Sequence, residues 1–373
     1  MAPTDSEALK ALNALVDTAT ALLQQLQSIL TEIQRNPSSP AVQPSSDTKD
    51  IDALALARDS SSLIRAHGTK LSLLVINEPF TPSAIATVVR ELVKSGIPGL
   101  ATAAQACDTK LYTAVLRKEL AYRSQKVLVE LSNLMKKIPR DGKVLSGVGK
   151  DSGKGSLALT GMLWSSCDDV VSLANMGVGG FFVKKAEEWR DTLKDVMEEL
   201  KEWGDEEPDD DDDEDEDEVD DLAEQLGDTS ISKQAMLDDL MNSNQTIPRS
   251  DPDKIRPRLD SSLRRLGMVV ILYRAISKRR FKKLPTLPPK NTTDLAMPQK
   301  LDAMSKTLEQ LPDKFGDLAG AFYELDPEEI DRLMETCFAD AARASEGFTL
   351  NWSGERDEFT EWTDKFQAEV KKT

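Results

Sequence analysis

Apolar positions along this chain recur at helical intervals. Leu9, Leu12, Val16, Ala19, Leu23, Leu26, Leu30 and Ile33 are separated by alternating steps of three and four, an a/d seam of more than three heptads. Ser6 is placed to cap this helix, and Asn36-Pro37 to stop it. Each seam residue, once buried, contributes on the order of 1.5–3 kcal/mol gross, so the stripe requires a partner surface. The rest of this chain is the simpler partner, and a second chain the alternative. Residues 36–49, with three prolines and four serines, read as a loop. A second helix is expected over about Ile51–Ile76. A third opens at Thr81-Pro82 and ends at Gly96, and further helical stretches run from Pro98 to Cys107 and from Lys110 to Ile138.

After a glycine- and proline-rich loop at 139–155, a helix over Leu157–Leu173 is broken by Asn175-Met-Gly-Val-Gly-Gly180. Another follows over Phe181–Trp203, with Phe182, Ala186, Trp189, Leu193, Val196 and Leu200 on one face. A short helix is expected near 231–242 and a long basic one over Pro257–Leu284. The last helices are expected near 298–311, 313–325, 327–344 and 354–371. No stretch alternates cleanly between apolar and polar, so the pattern predicts an all-α fold. Two bundles of about four to five helices fit the loop spacing better than a short-period solenoid, since no repeat of 33–47 residues is present. The expected organisation is 1–49, an amphipathic helix and loop; 50–203, a first bundle; 204–230, a disordered acidic linker; and 231–373, a second bundle. Trp164 and Cys167, one turn apart on an apolar face, are expected in the core.

Charge then sharpens the picture. The 373 residues carry −18, but the 17 residues Asp205–Asp221 hold 15 acids and leave the rest of the chain at −3. Such a run cannot fold alone, because its carboxylates repel and it has little to bury. Asp209, Asp210, Asp211, Asp212, Asp213, Glu214, Asp215, Glu216, Asp217 and Glu218 form its centre. It is either a solvated loop or a polyanion that holds a basic protein. The segment Lys254–Lys283 is the opposite: eleven of its thirty residues are Lys or Arg, and Asp260 is its one acid. Arg274, Lys278, Arg279, Arg280, Lys282 and Lys283 are its densest part. They could serve as a nuclear import signal, a phosphate-binding patch or an internal partner of the acidic run.

Enzymatic motifs fail on their chemistry. Gly147–Gly155 lacks the first glycine of a phosphate loop and the Ser or Thr after Lys154. His67 is the only histidine, and no nucleophile motif accompanies it. Cys107, Cys167 and Cys337 are too widely spaced for a zinc site. Asp220, Asp221 and Glu224 could sit one turn apart, but they merely end the acidic run, and Asp168-Asp169 is weaker still. No cofactor or metal is expected. The N-terminus shows no basic region leading into an apolar run, and no uncharged apolar stretch reaches ~18 residues, so neither a leader nor a membrane span is expected.

The run from Leu159 through Trp164, Cys167 and Asp168 to Leu173, followed by the amphipathic Phe182–Trp203 stretch and then acid, resembles the cyclin-D-binding protein (GCIP) family. Gly68, Lys70, Leu71 and Leu73, with Pro79 and Pro82 after them, resemble that family's second helix. The resemblance spans roughly residues 50–370. It implies an all-helical, two-bundle protein that acts in cytoplasm and nucleus through protein contacts, with animal members described as helix-loop-helix-like regulators that bind D-type cyclins and lack a DNA-reading region. Ala174, where family members usually carry proline, and the loop 36–49 mark a distant member. The expected function is a non-enzymatic adaptor for cyclin-like or helix-loop-helix partners. The alternative is an acidic escort for a basic client such as a histone or ribosomal protein. Sequence-specific nucleic-acid binding is not expected, and monomer and homodimer both stay open.

Overall fold

The computed structural model describes residues 5–40, 51–145, 152–206, 246–288 and 296–372, and among these all regular structure is helical. The elements are α1 (Asp5–Arg35), α2 (Ala53–Ile76), α3 (Pro82–Glu91), α4 (Ile97–Ala106), α5 (Ala114–Met135), α6 (Ser152–Asp205), α7 (Ile255–Arg279), α8 (Met297–Tyr323), α9 (Pro327–Glu346) and α10 (Glu358–Val370). The chain divides into two compact units. Unit 1 comprises Met1–Phe181 with Pro285–Ala303, and unit 2 comprises Phe182–Leu284 with Met304–Thr373. The boundary between the two units falls between Phe181 and Phe182, inside a helix. Beyond Glu206, the expected linker 204–230 and the short helix 231–242 lie outside the described residues.

In unit 1 the heptad seam finds its partner within the chain. Leu12, Val16, Ala19, Leu23, Leu30 and Ile33 are buried, and α1 packs on α3, α4 and α5. The end of α1 is held by the buried Arg117 of α5, which donates to the carbonyls of Pro37 (3.1 Å) and Ser39 (2.5 Å). Asp52 caps α2, accepting from the N–H groups of Leu54 and Ala55, each at 3.0 Å. Thr81 stands at the N-cap position of α3 but its hydroxyl donates to the Pro79 carbonyl instead of capping. Gly96 does not end the helix. A π turn over Leu92–Gly96 leads directly into α4, placing Pro98, which has no N–H to give, in the first turn of the new helix. The amino end of α5 is satisfied twice over. Thr113 accepts from Leu116 N–H (3.0 Å), and Asp302 accepts from Ala114 (2.7 Å) and Val115 (3.0 Å).

α6 breaks where the sequence requires it. Gly177 has φ 62° and ψ −173°, a conformation essentially restricted to glycine. In unit 2 the segment after the break buries Phe182, Ala186, Leu193, Leu200 and Trp203. Phe182 stacks on Phe281 and Phe281 meets Phe348 edge-on, both at 5.4 Å between ring centroids. α8 is one helix through Pro312, not the two expected. Proline withholds the N–H that would bond the Leu308 carbonyl, and the buried Tyr273 hydroxyl donates to that carbonyl at 2.5 Å.

Candidate protein-interaction site

α7 is amphipathic. Leu259, Leu266, Val269, Leu272, Tyr273 and Ile276 face the core, and Ile271, Arg274 and Lys278 face outward. Ile271 is 53% exposed. Beside it lies a groove of about 340 Å³ whose other wall is the first turn of α10. Ile271, Ala275, Phe359 and Trp362 give it an apolar lining, while Arg274, Lys278 and Arg279 stand along its edge opposite Glu358. Trp362 is clasped between Phe359 (5.6 Å) and Phe366 (5.5 Å), both rings nearly parallel to it. Arg279 reaches Glu358 at 3.6 Å in an exposed pair of little energetic weight. Arg274, Lys278, Lys282 and Lys283 are exposed, and among the described residues no carboxylate pairs with them.

Arg280 departs from the expected patch. It is 1% exposed, and its guanidinium makes five hydrogen bonds: to the carbonyls of Phe348 (2.8 Å), Thr349 (3.0 Å) and Arg279 (3.1 Å), and to both oxygens of Asp357 (2.8 and 2.9 Å). It also lies 4.6 Å from the centre of the Phe359 ring. A planar fork of donors suits this crowded set of acceptors, so this cation turns inward while its neighbours face water. Asp357 in turn caps α10, accepting from Phe359 and Thr360 N–H at 3.1 Å each, while its own N–H donates to the Thr360 hydroxyl (3.0 Å). The Arg280 guanidinium, followed in weight by the Thr360 N–H, holds the Asp357 carboxyl well below the usual carboxylate range. The clamp therefore joins the end of α7 to the start of α10 and fixes the width of the groove between them.

The other sequence candidates scatter. Asp209, Asp210, Asp211, Asp212, Asp213, Glu214, Asp215, Glu216, Asp217 and Glu218 lie outside the described residues, as do Asp220, Asp221, Glu224 and the start of the Gly147–Gly155 loop. Cys107, Cys167 and Cys337 are buried, and burial pushes each thiol up to about 12, the reverse of what a nucleophile needs. Burial, with Lys70 nearby, lowers His67 below its ordinary value. Asp168 pairs with Arg65 (3.2 Å) and Asp169 with Lys126 (3.5 Å). Among the described residues, no group of three His, Cys, Asp or Glu side chains could hold a metal ion, and no helix is long and apolar enough to cross a membrane.

Trp164 also corrects the sequence reading. Cys167 is fully buried, but Trp164 is 37% exposed, with its indole N–H donated to Thr69 (2.9 Å) and Arg65 lying 5.3 Å from its ring. Three positions along a helix turn the side chain about 60° short of a full revolution, enough to move it from the core to the shoulder. The α10 wall of the groove was not identified from the sequence. The signal was there in Phe359, Trp362 and Phe366, spaced by three and four.

The described residues thus form helices in two compact units, and unit 2 carries an exposed groove that is apolar inside and cationic at its edge. Residues 57–206 match the family described as Grap2 and cyclin-D-interacting, N-terminal, which bears out the resemblance read from Trp164, Cys167 and Asp168. Over 314 residues the chain is 24% identical to an uncharacterized protein of Schizosaccharomyces pombe, a span of 84% of this chain and 82% of that one.

Proposed function

We propose that this chain is a non-enzymatic helical adaptor, and that its α7–α10 groove receives an acidic amphipathic helix of a partner protein. The observation that carries this is the pairing of exposed, unpaired cations, Arg274 and Lys278, with the exposed Ile271 and the Trp362 ring in one groove. An apolar floor supplies affinity, and the charged edge selects an acidic partner and orients it. The matched family's description names cyclin D, which supports a cyclin-like partner. Nuclear as well as cytoplasmic residence fits the exposed Lys278, Arg279, Lys282 and Lys283, the four cations of that cluster left available for an import receptor once Arg280 is buried.

The test is affinity capture by the full chain from cell extract, identified by mass spectrometry and repeated with Ile271→Asp and with Arg274→Glu/Lys278→Glu. A partner that depends on the groove is lost in both variants, and its capture by the wild type weakens but survives in high salt. Partners indifferent to both variants would overturn the groove assignment. A second reading, an escort for a basic client, rests on the 15 acids among residues 205–221. A client held that way is released by salt and by removal of those residues, and is indifferent to the groove variants.

A further inference from the structure

We infer that a pocket beside the amino-terminal half of α7 binds a small organic acid, a carboxylate carried on an apolar stem. The pocket has a volume of about 790 Å³ and lies between α7 and α9, away from the α7–α10 groove. Such a volume falls within the usual range for small-molecule sites. Its defining group is Arg265. This side chain is 4% exposed, yet its one side-chain hydrogen bond runs from Nε to the neutral Val370 carbonyl at 3.0 Å, and one face of its guanidinium rests 3.8 Å from the Phe338 ring centre. No carboxylate among the described residues pairs with it, and the charge that acts on it most is the like charge of Arg264. A buried cation with so little compensation is costly to keep, and it lines an open pocket.

The surrounding residues narrow the ligand. Ser261 lines the pocket from the same face of α7, and its hydroxyl oxygen is buried without a hydrogen-bond partner. Pro257, Met334 and Ala339 supply apolar wall. Of the two acids there, Asp331 is consumed by a two-pronged pair with Arg258, each contact 2.7 Å, and Glu335 is exposed at the rim. Lys254 and Lys371 add positive charge. A monoanion suits this balance better than a phosphate dianion, which Asp331 and Glu335 would repel. A planar carboxylate can take two N–H groups from one guanidinium edge.

The experiment is isothermal titration calorimetry of the full chain with octanoate, octanol and octyl phosphate. Octanoate should bind roughly 10- to 100-fold more tightly than octanol, the ratio expected for one charge-assisted hydrogen-bond set, and no more weakly than octyl phosphate. Ala339→Phe, at the exposed lip, and Met334→Trp, in the wall, should each abolish octanoate binding in protein whose circular dichroism is unchanged. Lys282→Gln, outside the pocket, should leave it intact. Equal binding of octanoate and octanol, tighter binding of octyl phosphate, absence of octanoate binding, or octanoate binding that survives Ala339→Phe would each overturn the inference. Because none of these variants touches the α7–α10 groove, the result is independent of partner capture.

Discussion

Replacing Arg280 by Met separates the structural assignment of this residue from its place in a basic run. The aliphatic stem stays, while the five guanidinium hydrogen bonds and the contact with Phe359 are lost. Hydrogen bonds of this kind contribute about 0.5–1.5 kcal/mol each with neutral acceptors and about 1.5–3 with charged ones, and they do not add when they share one group. Removing one partner of a buried ion pair costs about 3–5 kcal/mol. The Asp357 side chain remains 30% exposed, so water takes up part of its orphaned charge and the lower half of that range is the better expectation. For a unit of this size each kcal/mol lowers Tm by about 2–4 °C, so Arg280→Met should melt roughly 6–16 °C early. Urea unfolding followed by circular dichroism measures the loss directly, with Lys282→Met as the exposed control, expected within about 0.5 kcal/mol of wild type. If Arg280→Met costs less than about 1 kcal/mol, the clamp does not hold α7 to α10 and Arg280 returns to the surface patch. The acid limb provides a second reading. Folded Asp357 stays charged below its ordinary value of 3.8, where the unfolded chain takes up the proton. Its contribution is therefore complete above that value and is lost as pH falls toward the lower folded value. Arg280→Met should flatten this part of the stability–pH curve.

Trp164→Ala should cost about 2–3 kcal/mol, below the 3–5 of a fully buried tryptophan, because the side chain is already 37% exposed although its hydrogen bond to Thr69 and its contact with Arg65 are lost; chemical denaturation measures the loss. Asp302→Ala should destabilise unit 1 by about 1–3 kcal/mol by leaving two N–H groups of α5 without their acceptor, and hydrogen exchange should show the first turn of α5 opening. The three thiols should ignore Ellman's reagent at pH 8 in the native protein and react fully in urea; rapid native reaction would refute their burial. Removing residues 207–221 should leave Tm nearly unchanged and strengthen retention on a polyanion resin at low salt, a gain that Gln at Lys278, Lys282 and Lys283 should cancel.

Much of the fold was legible because it is written in local chemistry. The α1 seam, the span of α2 and the glycine-rich break near Gly177 each depend on residues a few positions apart. What escaped depends on distant partners. Nothing in Lys278–Lys283 marks Arg280 as the inward member, since its acceptor Asp357 lies 77 residues on. Pro312 read as a stop because its remedy, Tyr273, bonds a carbonyl 35 residues away. Arg265 was lost in the same way among eleven basic residues, because its isolation is a property of the packed pocket and not of the run. The half of the groove on α7 could be anticipated from charge, whereas the aromatic wall on α10 required knowing which helix α7 meets.

The placement of Pro285–Ala303 in unit 1 has a consequence for how the protein is made. Synthesis delivers Phe181 long before Asp302, and at ~5–20 residues per second the gap of about 120 residues lasts roughly 6–24 s. Throughout that interval the nascent first bundle has α1 to α5 but not the carboxylate that accepts from Ala114 and Val115. The ribosome therefore holds a bundle with an open seam while the next bundle is still emerging. Slowing translation between residues 182 and 303 should lengthen the time that α5 can be cut by a protease added during synthesis.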